Sequence, residues 1–229
     1  MIKNYLLITF RNLMKNKLFI FINIFGMAIS IACCIIGYFN YDFNVSFDDH
    51  HKNAGTIYRV GSVREFQNEL TEFGFAPVAL GNAIKQNVNG VDEVIRYTPE
   101  GRNFRVKEAL FSDNTGYVDP AFFKVFTYEF IDGNGELTNK SGICISDELA
   151  IKYFGELKVV GKPLTQMLDS GRIKEYTVTG VFKKQAANSS FGLQTFTHHD
   201  NLFEFAKGDY NANSWKYRNT LFVQIKDPS

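Results

Sequence analysis

Residues 18–41 read LFIFINIFGMAISIACCIIGYFNY and carry no formal charge. Twelve of these 24 residues are Leu, Ile or Phe. A helix over this stretch would be about 36 Å long, enough to cross a hydrocarbon core of about 30 Å with some tilt. Each large apolar side chain favours insertion by about 0.3 to 0.6 kcal/mol near the centre, which outweighs Asn23 and Asn40. The stretch is therefore predicted to be a transmembrane helix.

The charges on either side of this stretch predict its direction. Four basic residues precede it and three acidic residues follow it: Lys3, Arg11, Lys15 and Lys17, then Asp42, Asp48 and Asp49. Because basic flanks stay in the cytoplasm, we expect a cytoplasmic N-terminus, an extracytoplasmic main domain and a location in the cell (inner) membrane. A cleaved signal peptide fits less well, since its apolar region runs about 7 to 15 residues. A processed lipoprotein and a buried core helix stay open as alternatives.

Small and polar residues recur along the apolar stretch at steps of three and four. They are Asn23, Gly26, Ser30, Cys33 and Gly37. Residues at this spacing share one face of a helix, and small side chains there allow another helix to approach closely. We expect this face to pack against a neighbouring membrane helix. The alternative is that Gly and Ser are simply common in membrane helices.

Residues 1–17 are predicted to form a cytoplasmic amphipathic segment that lies on the membrane surface. Apolar residues recur at helical intervals between the basic ones: Ile2, Leu6, Phe10, Leu13 and Met14. The alternative is a simple extension of the membrane helix by a few turns.

Residues 43–229 are predicted to form one extracytoplasmic domain of class α+β. Strand patterns outnumber helix patterns and do not alternate strictly with them. The predicted strands are Thr56–Phe66, Val91–Thr98, Arg102–Lys107, Ala109–Val118, Gly142–Ile145, Glu175–Lys183 and Thr220–Lys226, with a bulge at Gly180. The predicted helices are Ala76–Val88, Asp119–Phe126 capped by Asp119, and Ser146–Phe154 capped by Ser146 and stopped by Gly155.

Composition and motifs exclude several function classes. The net charge of +1 argues against nucleic-acid binding, which requires a basic surface. Cys144 is the single thiol of the predicted outer domain, so no internal disulfide is expected there. The run from Gly155 to Pro163 differs from a phosphate loop in spacing and has Pro163 where Ser or Thr would hold magnesium. The histidine doublets at 50–51 and 198–199 are expected to be solvated loops. No catalytic, cofactor-binding or metal residue is predicted.

A series of short motifs resembles one family. Before and within the apolar stretch stand Phe10-Arg-Asn-Leu-Met-Lys-Asn-Lys17 and Ile22-Asn-Ile-Phe-Gly-Met-Ala-Ile29. After it come Ser46-Phe-Asp48, Ile57-Tyr-Arg-Val60, the segment 118–126, the segment 145–155, Gly161-Lys162, the segment 176–181 and Asn188-Ser189. Their order is similar to that of MacB/FtsX-type ABC transporter permeases, in which one membrane helix precedes a MacB-like extracytoplasmic core domain.

The resemblance implies a non-catalytic permease subunit whose outer domain relays ATPase-driven motion across the membrane. It implies a cytoplasmic ABC ATPase, a second permease copy, membrane lipid and an extracytoplasmic protein as partners. It also implies further membrane helices, so the 229 residues are expected to be the N-terminal part of a longer protein, with the core domain truncated at its C-terminal end. The alternative function is a stand-alone membrane-anchored binding or sensor domain, and an anchored enzyme is the third.

Overall fold

The computed structural model describes residues 2–168, 171–205 and 211–226. Some side chains inside its helices also lie outside the described part, namely those of Ile2, Leu6, Leu13 and Phe205. By compactness the chain divides into two units, Met1–Phe47 and Asp48–Ser229.

The first unit consists of two helices, α1 (Ile2–Lys15) and α2 (Lys17–Val45). Asn16 separates them with a non-helical backbone, φ −111° and ψ 54°, so the first helix is not a continuation of the second. The 29 residues of α2 span about 44 Å, and an 18-residue window within them has a mean hydropathy of 2.5. By length and composition α2 can cross a membrane. The placement of α1 on a membrane surface stays a prediction, because three of the side chains on which it rests lie outside the described part.

The second unit mixes strands and short helices, which confirms the α+β class. Its strands are β1 (Ile57–Val60), β2 (Ser62–Phe66), β3 (Glu69–Phe73), β4 (Ala76–Pro77), β5 (Val91–Val106), β6 (Ala109–Val118), β7 (Phe130–Gly133), β8 (Gly142–Ser146), β9 (Pro163–Met167), β10 (Ile173–Phe182), β11 (Thr195–His198) and β12 (Arg218–Ile225). Its α-helices are α3 (Val78–Asn87), α4 (Phe122–Val125), α5 (Asp147–Phe154) and α6 (Asn201–Phe205), and a 3₁₀ turn spans Ala54–Thr56.

Ten of these strands form one mixed sheet, and β2 and β3 form a separate hairpin. The main path runs β1-β12-β5-β6-β11-β8-β10-β7, with β4 on β12 and β9 bridging β10 and β5. The strand β8 pairs parallel with β10 and antiparallel with β11. All five residues of β8 are buried, so both faces of the sheet are covered at its centre.

Two hydrophobic clusters cover the two faces of the sheet. Cys144 belongs to one cluster, whereas its neighbours Ile143 and Ile145 belong to the other, and successive side chains of a strand point to opposite faces. We name one the anchor-side cluster, after the segment 48–56 that packs against it, and the other the α5-side cluster, after the helix that covers it. The buried residues of the anchor-side cluster are Ile95, Tyr97, Val118, Phe122, Val125, Phe126, Leu137, Cys144, Phe182, Phe191 and Phe196. Those of the α5-side cluster are Phe104, Ile143, Ile145, Leu149, Ala150, Tyr153, Val159, Leu164, Tyr176, Val178 and Val181.

Some predicted strands have the observed bounds, whereas others differ because contacts with the backbone of another segment determine where the strand ends. Strand β6 has the predicted bounds, and the bulge at Gly180 is confirmed by a register shift between Val178 and Gly180. The predicted strand Thr56–Phe66 is wrong, because it divides at Gly61. A Cβ at Gly61 would lie 2.7 Å from the carbonyl oxygen of Phe73, so the close return of the hairpin requires glycine there.

The two strands predicted on either side of Pro99 are one continuous strand, β5. Strand β12 pairs with β5 from Val91 to Tyr97, and β9 pairs with it only from Asn103 to Arg105. Between these ranges β6 is the only pairing partner described for the strand. The missing N–H of Pro99 is therefore tolerated.

The predicted helix from Ser146 is confirmed at both ends. The Ser146 side chain accepts a hydrogen bond from the N–H of Leu149, and Gly155 ends α5 in the left-handed region at φ 78°. The cap predicted at Asp119 is wrong, because α4 begins at Phe122 and Arg96 takes the Asp119 carboxylate. Ile151 is 55% exposed, since the inward face of α5 carries Leu149, Ala150 and Tyr153.

Candidate functional site

The first residues of the second unit, 48–56, are fastened to distant parts of the domain, and we call them the anchor segment. Asp48 has a left-handed backbone, φ 63°, which is uncommon for a residue with a side chain. Its N–H donates to the carbonyl oxygen of Asn188 at 3.0 Å. The N–H and the hydroxyl of Ser190 donate to its two carboxylate oxygens at 2.7 and 2.5 Å. Two motif pieces separated by about 140 residues in the sequence thus meet at one site.

A second attachment joins the anchor segment to the end of α4. The N–H of Thr127 donates to Nδ1 of His51 at 3.1 Å, and the N–H of Lys52 donates to the Thr127 hydroxyl at 2.9 Å. The side-chain amide of Asn53 donates to the carbonyl oxygen of Val125 at 3.2 Å. The anchor segment is therefore held from two sides, by the loop at 188–190 and by residues 125–127.

Buried aromatic rings lie beneath the anchor segment. The His51 ring lies 5.2 Å from the ring of Phe126 and 5.9 Å from that of Phe191, centroid to centroid. Phe126 and Phe191 are 4.3 Å apart, and both lie within 5.2 Å of the fully buried Phe122. Tilted and edge-to-face pairs at these distances add about 0.5 to 1.5 kcal/mol each beyond their burial. The anchor segment thus rests on the anchor-side cluster.

His51 is a neutral histidine in this environment. Burial first, and then the neighbouring His50, lowers its pKa from 6.5 to about 4, against an opposing effect of Asp48. Because Nδ1 accepts the Thr127 N–H, the ring proton belongs on Nε2. That Nε2 is buried without a hydrogen-bond partner among the described residues. Oδ1 of Asp48 lies 3.9 Å from it, beyond hydrogen-bond range.

Asp48, His50 and His51 also have the composition of a metal site. Potential ligand atoms of the three lie within 4.8 Å of one another. A metal needs a free lone pair on the histidine nitrogen, but Nδ1 of His51 is occupied by Thr127 and Nε2 carries the proton. The residues therefore fit a metal poorly. The sequence-based prediction of no metal ligand remains a prediction.

An open cavity of about 550 Å³ lies beside the anchor segment. Apolar and aromatic residues form most of its wall, among them Ile57, Tyr97, Phe126, Phe191 and Phe222. Asp48, His51 and Arg59 contribute the charged or polar groups. Ligand sites are usually concave and mostly apolar with a few polar groups, so this cavity is the candidate binding site of the outer domain.

A buried ion pair holds the start of the α4 region. The guanidinium of Arg96 donates to the Asp119 carboxylate at 2.5 and 3.0 Å, and the Arg96 N–H donates to the same group at 2.7 Å. Burial by itself raises the pKa of Asp119, but the hydrogen bonds and charge of Arg96 outweigh it and lower the pKa. Beside the pair lies His199, fully buried, with both ring nitrogens unpartnered among the described residues. Burial first, and then Arg96, lowers the pKa of His199 to about 3.

The predicted packing residues lie along α2. Asn23, Gly26, Ser30, Cys33 and Gly37 are all exposed within the first unit, and a Cβ built on Gly26 or Gly37 would have no neighbour within 4 Å among the described atoms. The Asn23 amide donates to the carbonyl oxygen of Phe19 and the Ser30 hydroxyl to that of Gly26, both at 2.9 Å. These polar groups are thus satisfied within the helix, and the packing role of the face stays a prediction.

The lookalike of a phosphate loop is occupied by structural contacts. Gly155 ends α5, so a helix precedes the segment where a phosphate loop requires a strand. Lys162 pairs with Glu156 at 2.5 Å. The prediction that both histidine doublets, 50–51 and 198–199, are solvated is wrong, because His51 and His199 are buried.

Comparison with known proteins identifies the family. Residues 20–229 match the family described as the MacB-like periplasmic core domain. The chain belongs to this family. The resemblance to MacB/FtsX-type permeases is therefore confirmed. The MacB-like core domain is the non-catalytic periplasmic part of ABC transporter permeases, which agrees with the expectation that this chain is not an enzyme.

Two solved structures share the fold of the MacB-like domain. One is a domain described as part of a permease protein from Porphyromonas gingivalis, with 24% identity and a TM-score of 0.63 over 78% of this chain and 76% of the other. The other is the periplasmic region of MacB from Actinobacillus actinomycetemcomitans, with 15% identity and a TM-score of 0.50 over 67% of this chain and 66% of the other. Among proteins with curated functions, none matches this sequence.

The sequence contains the two motifs that attach the anchor segment, but it does not show that they are in contact. Ser46-Phe-Asp48 and Asn188-Ser189 stand among the quoted motifs, whereas His51, Thr127 and Ser190 do not. A polar pair such as Asp48 and Ser190 leaves no local signal, because the two residues become neighbours only when the sheet has formed. The one available hint was the position of Asp48, three residues after the end of the long apolar helix in the sequence.

Proposed function

We propose that this chain is part of an ABC-type permease subunit and that its MacB-like domain relays ATPase-driven motion across the membrane. The anchor segment is the observation that carries the proposal. It begins three residues after the end of α2 in the sequence and is fixed to the domain by hydrogen bonds from two distant loops. A pull on a segment held in this way is passed to the buried core instead of being lost in a flexible linker.

The proposal includes the membrane arrangement. The helix α2 spans the membrane, the N-terminus is cytoplasmic, and the MacB-like domain is outside, in accordance with the basic residues before α2 and the acidic residues after it. An impermeant maleimide should then label Asp49→Cys but not Lys3→Cys in intact cells, in a Cys33→Ala, Cys34→Ala background. Cys144 is buried, so it does not interfere. Labelling of Lys3→Cys and not of Asp49→Cys would indicate the opposite topology.

The proposal also names partners. A cytoplasmic ABC ATPase supplies the energy, and a second permease copy and an extracytoplasmic protein complete the assembly. The small-residue face of α2 is the proposed contact with a neighbouring membrane helix. Replacing Gly26 and Ser30 with Leu should weaken assembly or coupling while the outer domain stays folded. Ile24→Leu with Ile31→Leu, on the other side of α2, is the matched control, and full function of the first double variant would remove the packing role.

Hydrogen exchange in the complete permease bound to its ATPase tests the relay. Trapping the ATPase with ATP and vanadate should change amide exchange in residues 48–56 and 188–191, because these residues receive the motion first. The helix α5, on the other face of the sheet, should change less. Identical exchange in both nucleotide states throughout the outer domain would contradict the proposal.

The second candidate is a stand-alone membrane-anchored binding or sensor domain. The cavity beside the anchor segment favours it. The two candidates differ in whether an ATPase is bound, so purification of the complete protein from native membranes distinguishes them. An ABC ATPase that co-purifies in stoichiometric amount supports the relay, and its absence supports the sensor.

A further inference from the structure

The cavity beside the anchor segment carries an inference of its own, independent of the relay. It is open to solvent and has a volume of about 550 Å³, within the usual range for small-molecule sites. Tyr97, Phe191 and Phe222 contribute aromatic rings to its wall, with Ile57 beside them. Tyr97 and Phe191 stand edge to face at 5.3 Å, and Phe191 and Phe222 lie 5.4 Å apart. Such a wall is suited to a flat or branched apolar group.

The charged groups of the cavity determine which ligand charge it favours. Asp48 accepts two hydrogen bonds from Ser190, so its carboxylate is already engaged. Arg59 uses Nε to donate to the carbonyl oxygen of Gly74 at 2.7 Å. Its guanidinium forms no ion pair with any residue that the structure describes within 2–168, 171–205 and 211–226. The two charges offset each other formally, but Asp48 is engaged by Ser190 whereas Arg59 has no ion-pair partner in those ranges, so Arg59 is the group that can bind an anionic group of a ligand.

A buried donor marks a second polar contact. Nε2 of His51 carries the ring proton, and it has no acceptor among the described residues. His51 is 5% exposed and belongs to the cavity wall. A buried donor left without a partner is destabilising, so an acceptor supplied by a ligand, such as a carbonyl oxygen, would offset this cost.

We propose that this cavity binds a small apolar carboxylate, with its hydrocarbon part against Tyr97, Phe191 and Phe222 and its carboxylate on Arg59. A carbonyl group next to the carboxylate is the acceptor that suits His51. A free aromatic or branched acid and the apolar C-terminal residue of a peptide share this chemistry.

The test uses fluorine NMR with the full chain in lipid nanodiscs. The probe is N-acetyl-4-fluoro-phenylalaninate, with empty nanodiscs as the background. Its signal should broaden with the chain present, and the neutral amide of the same compound should broaden at least about tenfold less, because it lacks the charge-assisted contact. The tripeptide Ala-Ala-(4-fluoro-phenylalanine) distinguishes the two sources, since equal or tighter binding favours a peptide C-terminus and weaker binding favours a free acid.

Two variants keep the test independent of folding. Arg59→Met should reduce binding at least about tenfold, whereas Arg64→Met, a change of a nearby arginine outside the cavity, should leave it unchanged. Thr220→Phe fills the cavity from β12 and should abolish binding while the melting temperature of the chain shows that it is folded. Equal binding of acid and amide, or unchanged binding by Arg59→Met, would overturn the proposal. Because neither readout involves an ATPase, failure here leaves the relay unaffected.

Discussion

The two faces of the central sheet are equally buried but differently built. The anchor-side cluster is rich in phenylalanine and has the neutral His51 packed against it, whereas the α5-side cluster is mostly aliphatic and is covered by a helix with ordinary caps. Among the residues that the structure describes, the anchor-side cluster is the one that contacts the segment following α2 in the sequence. One face therefore stabilises the domain, while the other both stabilises it and holds the anchor segment.

Truncation of one buried side chain on each face is expected to have the largest effect. Phe122→Ala should lower the free energy of unfolding by about 3 to 5 kcal/mol, since the ring is fully buried among five aromatic neighbours. Leu149→Ala on the other face should cost about 2 to 5 kcal/mol. Urea denaturation of residues 43–229, expressed as a soluble domain, measures both. A loss below about 1 kcal/mol for Phe122→Ala would mean that the aromatic cluster is not a core.

The faces should also differ in their response to acid. The pKa of His51 is lowered from 6.5 to about 4 and that of His199 to about 3, mainly by burial, so unfolding takes up protons below pH 6.5. Stability should therefore fall as the pH drops from 6.5 towards 4, by up to about 1.4 kcal/mol per pH unit for each histidine. His51→Asn, which keeps an acceptor for Thr127, should reduce this slope.

The comparison variant for the acid response is His50→Asn, which removes an exposed histidine whose effect on the pKa of His51 is secondary to burial, so the slope should change less than in His51→Asn. Unfolding curves at pH 7, 6 and 5 measure the slope in each protein. A slope that is the same in the wild type and in His51→Asn would show that His51 does not remain neutral in the folded domain.

The sequence predicted local structure well and long-range contacts poorly. The strand Ala109–Val118 and the cap at Ser146 depend on neighbouring residues, and both are confirmed. The cap at Asp119 is wrong because Arg96, 23 residues away, takes the carboxylate. Short strands such as β7 and β11 have four residues each and show no periodicity on which a prediction could rest. The anchor and the cavity belong to this second class, since they arise only from tertiary contacts.

Reductant should have the smallest effect. Cys144 is fully buried in the anchor-side cluster, and burial raises its pKa from 9.0 to about 12, so the thiol is inert at neutral pH. The melting temperature of residues 43–229 should be the same with and without dithiothreitol. A fall of several degrees in reductant would indicate a covalent dimer through Cys144 and would show that Cys144 is not buried in the core.

The most direct test of the account is the variant Asp48→Gly in the complete permease with its ATPase. Glycine tolerates the left-handed backbone at this position, so the change removes only the carboxylate that binds Ser190. Asp49→Gly, an exposed neighbour, is the matched control. The account predicts that Asp48→Gly retains ATP hydrolysis but loses the nucleotide-dependent change in amide exchange at residues 188–191, while Asp49→Gly retains both. A nucleotide-dependent change in Asp48→Gly as large as in the wild type would contradict the claim that the anchor segment transmits the motion.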